Sequence, residues 1–358
     1  MKKLDWYIVK KFLGTFFFSL TLILVIVIIF DISEKIDDFL KHEVSLSKII
    51  FEYYLNFIPY FGNLFSPLFI FISVIFFTSK MANNTEIIAI LNSGMSFKRL
   101  LKPFMISAFI LGLLSFFLGN FIIPPSNSER INFENKYLKN KRFSREKNIH
   151  MQLQPGKYMY MENFNKTRNI GYKFTLEYFK DGELHSKLKS NYAQYDTLSH
   201  KWIINKYEIR EFNTFGEIIT TGTKIDTSLN LSPHDFTKQK SLVESMNMCE
   251  LNNYIAQEEL KGSEQIVYYK IEKHKRIAFP FASLILTLIA VAIASRKIRG
   301  GIGVHLAIGM LIAFTYILFM QVSTTFATNS NLAPALAVWI PNLCYMVLAG
   351  LLLYKASK

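Results

Sequence analysis

The feature that most constrains this chain is a set of long apolar runs that contain no Asp, Glu, Lys or Arg. A helix that crosses the hydrocarbon core of a bilayer needs about 20 mostly apolar residues. The last of the runs is too long for one helix at about 1.5 Å per residue. We expect that run to turn back once, in its polar stretch at 324–331. The sequence therefore predicts six transmembrane helices from the uncharged runs at 12–30, 53–79, 103–128, 277–295 and 300–354.

Composition agrees with a membrane protein and argues against a nucleic-acid-binding protein. Of the 358 residues, 51% are hydrophobic, which is more apolar surface than one soluble core of this size needs. The formal net charge is +14, yet the basic residues form no compact stripe interleaved with aromatic residues. Cys249 lies in a polar segment and Cys344 in an apolar run, so a disulfide between them is not expected.

The orientation of the helices follows from the basic residues in the short loops, because Lys and Arg concentrate on the cytoplasmic side. Basic residues precede the first run, separate the second from the third and the fourth from the fifth, and end the chain. This pattern predicts that both termini are cytoplasmic. The residues concerned are Lys2, Lys3, Lys10, Lys11, Lys80, Lys98, Arg99, Lys102, Arg296, Lys297, Arg299, Lys355 and Lys358.

The same alternation places residues 31–48 and about 129–273 outside the cytoplasm. The larger segment contains period-two runs, one of which precedes an Asp181-Gly182 turn and is typical of a β-hairpin. Repeated short strands with one apolar face indicate a sandwich or jelly roll. The predicted fold is an α-helical membrane protein with six transmembrane helices, three plus three, and an inserted β-jelly-roll-like domain. Its expected parts are 1–128, 129–273 and 274–358.

Several motifs that carry enzymatic chemistry are absent. The chain has no GxxxxGK[ST] loop to hold nucleotide phosphates, so any ATP dependence is expected to come from a separate subunit. It also lacks HExxH, GxSxG and GxGxxG, and its seven histidines show no metal-ligand spacing. We therefore expect no catalytic residues, no bound metal and no cofactor.

The cytoplasmic loop between the second and third runs contains a short helical pattern at about 84–94. Asn84 or Thr85 can cap a helix, Glu86 favours its N-terminal end, and Gly94 can terminate it. Two interpretations are open. The helix either anchors the loop at the membrane interface, or it is a coupling helix that docks in a groove on a cytoplasmic ATPase.

Four stretches, in this order and spacing, resemble the LptF/LptG permeases of the lipopolysaccharide-transport ABC exporter. They are Thr85 through Ser96, Met248-Cys249-Glu250-Leu251 through Gly262, Lys275-Arg276-Ile277-Ala278-Phe279-Pro280, and Ala337-Val338-Trp339-Ile340-Pro341-Asn342-Leu343. Together they cover nearly the whole chain. The start of the segment after the first run, Phe30-Asp31, resembles LptG more than LptF.

The resemblance implies a set of partners and a cellular location. In that family two related permeases pair across a central cavity, and a cytoplasmic ATPase dimer binds their coupling helices. A single-span periplasmic protein receives the lipopolysaccharide, and the periplasmic jelly rolls pass it toward a bridge to the outer membrane. The resemblance therefore implies a multi-pass protein of the bacterial inner membrane, with a periplasmic central domain.

The resemblance also implies roles for individual residues. The candidates for contact with the ATPase are Thr85, Glu86, Ile87, Ile90, Leu91 and Gly94. In that family lysines after the first span face the cavity and meet lipid phosphates, and Lys35 or Lys41 would match them. Each role has an alternative: Glu86 can simply stabilise the helix dipole, and the two lysines can pair with neighbouring acids.

Two other functions compete with transport by an export permease. A membrane-anchored scaffold or assembly factor could bind periplasmic proteins through the β domain, but it has no need of a cytoplasmic docking helix. A lipoprotein-release permease generally has its large domain after the first helix instead of the third. Lipid selectivity and stoichiometry have no signal in the sequence.

Overall fold

The computed structural model describes residues 3–138, 147–165, 168–197, 199–213, 216–229, 231, 233, 240–263, 265–298, 300–330 and 332–356. Among the residues named above, Lys2, Arg299, Asn331 and Lys358 lie outside this part of the chain. The chain divides into two compact units. The membrane unit comprises Met1–Leu138, Val243–Leu251 and Val267–Lys358, and the β unit comprises Lys139–Leu242 and Asn252–Ile266.

Within the described residues, six helices are long and apolar enough to cross a membrane, which confirms the predicted number. The first span is α1, Lys3–Lys41. The second consists of α2, Leu46–Lys48, and α3, Leu55–Asn83, which are joined by a π-helical turn. The third consists of α5, Phe97–Phe117, and α6, Ile123–Phe133, and continues to Leu138. The last three are α9, Ile266–Ala294; α10, Gly301–Asn329; and α11, Pro334–Ala356. The short helix α4, Glu86–Asn92, lies between the second and third spans.

The turn between the last two spans lies at the end of the predicted polar stretch. Helix α10 continues through this stretch to Asn329, and its threonine hydroxyls donate hydrogen bonds back to carbonyls one turn earlier. Thr324 Oγ1 lies 3.0 Å from the Met320 carbonyl oxygen, and Thr325 Oγ1 lies 2.8 Å from that of Gln321. The hydroxyls are thus satisfied inside the helix, and a polar sequence alone does not end it.

Helix α3 is central to the membrane unit. Its buried residues Ile70, Phe71, Val74 and Ile75 belong to one apolar core that also contains residues of α1, α5, α9, α10 and α11. Ile87 of α4 is buried in the same core. The short helix α4 is therefore packed onto the membrane spans.

The β unit contains one six-stranded antiparallel sheet whose strands are neighbours in chain order. At the predicted hairpin, Asp181 and Gly182 both have positive φ, 49° and 85°, which suits the two central positions of a type I′ turn. Trp202 is fully buried, and its Nε1 donates a hydrogen bond to the Leu231 carbonyl oxygen at 2.9 Å. The strands are β1 Lys147–Gln154, β2 Lys157–Asn165, β3 Ile170–Lys180, β4 Glu183–Asp196, β5 Lys201–Asn213 and β6 Gly216–Thr227.

The remaining helices follow the sheet in the chain. They are α7, Lys240–Glu244, and α8, Met248–Leu260. Helix α8 begins at Met248 and ends two residues before Gly262. The third span continues beyond residue 128 to Leu138, and the fourth begins at Ile266, before the expected boundary at 274.

Candidate functional site

Helix α4 begins and ends at residues with unusual backbone conformations. Thr85, at the N-cap position, has a φ of 62°, which is rare for a β-branched residue. Its hydroxyl donates to the Asn84 carbonyl oxygen at 2.6 Å and makes no capping bond, so the prediction of a side-chain cap at Thr85 is wrong. Gly94 has a φ of 84°, and its N–H donates to the Leu91 carbonyl oxygen, so it terminates the helix as predicted.

The two faces of α4 differ in exposure. Ile87 is 2% exposed and belongs to the core of the membrane unit, while Ile90 and Leu91 are partly buried against that core. Ile88 is 47% exposed, and Ala89 and Asn92 are also exposed. The structure thus turns three of the predicted contact residues inward, and the outward face is formed by residues that the motif did not single out.

Glu86 is half-buried and contacts the first span. The Tyr7 hydroxyl lies 3.4 Å from Glu86 Oε2, a long hydrogen bond, and Asn84 Nδ2 lies 3.3 Å from Oε1. A carboxylate at the first position of a helix also meets the positive end of the helix dipole. The carboxylate is therefore tied to α1 as well as to its own helix.

A second contact joins α1 to the segment that follows α4. Arg99 donates two hydrogen bonds to the Asp5 carboxylate, from Nη1 at 2.8 Å and Nη2 at 2.7 Å. Asp5 is buried and Arg99 is partly buried, so the pair is less screened than one on an open surface. Sequence reasoning treated Arg99 only as a marker of the cytoplasmic side and missed Asp5 and Tyr7, which lie far from their partners along the chain.

The two lysine candidates lie in different surroundings. Lys35 is half-buried; its ammonium lies 2.5 Å from Asp31 Oδ1, donates to the Tyr53 hydroxyl, and lies 4.9 Å from the Tyr53 ring centre. The Tyr54 hydroxyl donates to the other oxygen of Asp31 at 3.0 Å. Lys41 is exposed in the last turn of α1 and makes no ion pair within the described residues. The structure therefore brings Lys35, but not Lys41, into a compact polar cluster.

The described residues contain no group of three or more His, Cys, Asp or Glu side chains arranged to hold a metal ion. His305, which is 1% exposed, shares a hydrogen bond with Ser79 through Nδ1 at 2.6 Å and joins α10 to α3. Its role in the fold is structural.

Comparison with known protein families gives one decisive result. The family described as lipopolysaccharide export system permease LptF/LptG matches residues 6–355. The chain belongs to the LptF/LptG family. No curated protein sequence matches it.

Membership accounts for the main features of the molecule. This LptF/LptG permease is a multi-pass inner-membrane protein of the lipopolysaccharide export system, and the family is one of transporter membrane subunits. The match covers LptF and LptG alike, so the closer likeness to LptG remains a prediction from Phe30-Asp31.

Proposed function

We propose that this permease is the membrane-spanning subunit of an ABC exporter that extracts lipopolysaccharide from the inner membrane. It pairs with a related permease, and a cytoplasmic ATPase dimer drives the pair. The observation that carries the proposal is the geometry of α4, in which one face is buried on the membrane spans and the other is exposed. Ile88, which is 47% exposed, gives that outward face an apolar contact point for a partner.

The contacts of α4 supply a route for force. A partner that moves the outward face of α4 also moves α1, because Glu86 bonds Tyr7. Arg99, at the start of α5, bonds Asp5 on the same helix α1. Helix α1 carries exposed apolar residues along its length, among them Phe18, Leu22, Ile29 and Phe30. That face suits a cavity wall that meets acyl chains, with Lys41 near its outer end.

The orientation expected from the loop charges belongs to the same proposal. Both termini and α4 are cytoplasmic, and the central β domain, residues 129–273, is periplasmic. There it passes the lipid to a single-span periplasmic partner and toward a bridge to the outer membrane.

The last strand of the sheet supports a role in handing on the lipid. Among the described residues no strand pairs with the outer side of β6, and Ile218 and Ile219 on it are each 54% exposed. An unpaired edge with apolar side chains can accept a strand from another β domain. We therefore propose that β6 is the contact edge for the receiving protein.

The alternative is a scaffold without transport activity, and co-purification separates the two functions. The chain would be purified with the candidate ATPase, as wild type and as Glu86→Ala. The proposal predicts a stable complex for the wild type that the variant weakens. The matched control is Glu34→Ala, which removes an exposed acid from α1. A wild type that never retains the ATPase would favour the scaffold.

A further inference from the structure

The membrane unit encloses a cavity that the export proposal does not use. Its volume is about 470 Å³, within the range of about 300–1,000 Å³ for small-molecule sites. Residues of α3, α9 and α10 form most of its wall. All of them belong to the membrane unit of this one chain.

The cavity changes from polar to apolar along each helix of its wall. On α3 the lining begins with Tyr60 and continues with Leu64 and Leu68. On α9 it begins with Glu272, Lys275 and Arg276 and continues with Phe279 and Leu286. A cavity in a membrane protein with one polar end and one apolar end matches an amphiphile better than a polar solute or a pure hydrocarbon.

Most charges at the polar end have partners. The Tyr60 hydroxyl donates to the Glu244 carboxylate, which is also faced by Arg130. Arg276 donates to the Met246 and Val243 carbonyl oxygens at 2.7 and 2.9 Å, and its Nε lies 3.8 Å from Glu272. Two acids are thus matched by two arginines.

Lys275 is the exception. It is half-buried in the cavity wall and makes no hydrogen bond or ion pair with the described residues. An uncommitted ammonium beside an apolar cavity attracts a phosphate, since basic pockets between transmembrane helices bind lipid headgroups. Burial and the nearby Glu272 raise the pKa of Glu244 above its ordinary value.

We propose that this cavity holds one acyl chain of an anionic phospholipid whose phosphate is bound by Lys275. An apolar end lined by Leu64, Leu68 and Leu286 suits an acyl chain, and Lys275 at the polar end suits the phosphate. The site needs neither the ATPase nor a second permease, so this inference goes beyond the export proposal and stands or fails separately from it.

The test uses the full-length chain in nanodiscs that contain phosphatidylglycerol with a photoreactive group at the end of one acyl chain. After illumination, labelled peptides are mapped for the wild type, Lys275→Gln and Lys273→Gln. Lys273 is the control because it lies on the same helix but does not line the cavity. We expect labelled peptides at 60–68 and 313–321. Lys275→Gln should reduce this labelling about fivefold, because one lysine typically strengthens the attraction of an anionic lipid by about that factor. The Lys273→Gln variant should be labelled at these peptides as strongly as the wild type.

A second pair of variants tests the cavity itself. Ala313 lines it and is 2% exposed, so Ala313→Phe should fill the space and abolish the labels. Leu311→Phe, at a 66% exposed position on the same helix, should have no effect.

Three results would overturn the proposal. One is labelling unaffected by Lys275→Gln, and another is equal labelling at these peptides by a phosphatidylcholine probe. The third is displacement of the label by excess lipopolysaccharide, which would assign the cavity to the transported lipid.

Discussion

At the scale of single residues, Lys35 is the position where an ion-pair role and a lipid-binding role can be separated most clearly. Replacing Lys35 by Gln leaves the Asp31 carboxylate without its cation in a mostly buried position. We expect a loss of about 1.5–3 kcal/mol, the usual contribution of a hydrogen bond to a charged group. The double variant Asp31→Asn/Lys35→Gln should recover most of the lost stability. Lys41→Gln should change the free energy of unfolding by less than about 0.5 kcal/mol.

The measurement is the thermal unfolding midpoint of each purified variant in one detergent. If Lys35→Gln unfolds like the wild type while cross-linking to lipopolysaccharide falls, Lys35 is a lipid ligand and the ion-pair interpretation is wrong.

The Asp5–Arg99 pair gives a second prediction at this scale. Arg99→Gln removes two hydrogen bonds and the paired charge from the buried Asp5 carboxylate, so it should reduce stability and uncouple ATP hydrolysis from lipid release. The double variant Asp5→Asn/Arg99→Gln should regain stability but not coupling, because no charge then joins α1 to the segment after α4. Hydrolysis and release would be measured on the same vesicles. Full coupling in the double variant would exclude this pair from the force route.

At the scale of elements, the two faces of α4 make opposite predictions. Ile88→Ser should leave the chain folded but reduce binding of the ATPase, since Ile88 is exposed. Ile87→Ser should instead destabilise the chain by about 2–5 kcal/mol, because it removes a buried side chain from the core. Binding and unfolding midpoints would be measured for both. The control is Ile308→Ser, at a 42% exposed position on α10. If Ile87→Ser and Ile88→Ser changed binding and the unfolding midpoint equally, α4 would not have one buried and one exposed face as we describe.

The elements also show what the sequence can predict and where it stops. Uncharged runs located all six spans, and Asp181-Gly182 located a hairpin, because both signals are local. The third span extends past Ser128 through charged residues, where Arg130 and Glu134 form a pair one turn apart at 3.2 Å. Contacts such as Tyr7–Glu86 join distant parts of the chain and leave no periodic pattern.

At the scale of the whole molecule, the proposed orientation can be tested with reporter fusions. Fusions after Met95 and Lys297 should report the cytoplasm, and a fusion at Asp181 should report the periplasm, because basic residues concentrate in the loops assigned to the cytoplasm. Matched fusions to a protein of known topology provide the control. A cytoplasmic signal at Asp181 would overturn the architecture.

The central claim is that ATP hydrolysis by a separate subunit drives lipid export through α4. The most direct measurement is release of lipopolysaccharide from vesicles that contain this chain, its paired permease and the ATPase, with and without ATP. The account predicts ATP-dependent release for the wild type. For Glu86→Ala at matched protein levels it predicts a loss of at least about tenfold, since this carboxylate joins α4 to α1 through Tyr7 and a hydrogen bond to a charged group contributes about 1.5–3 kcal/mol. Equal ATP-dependent release from both would contradict it.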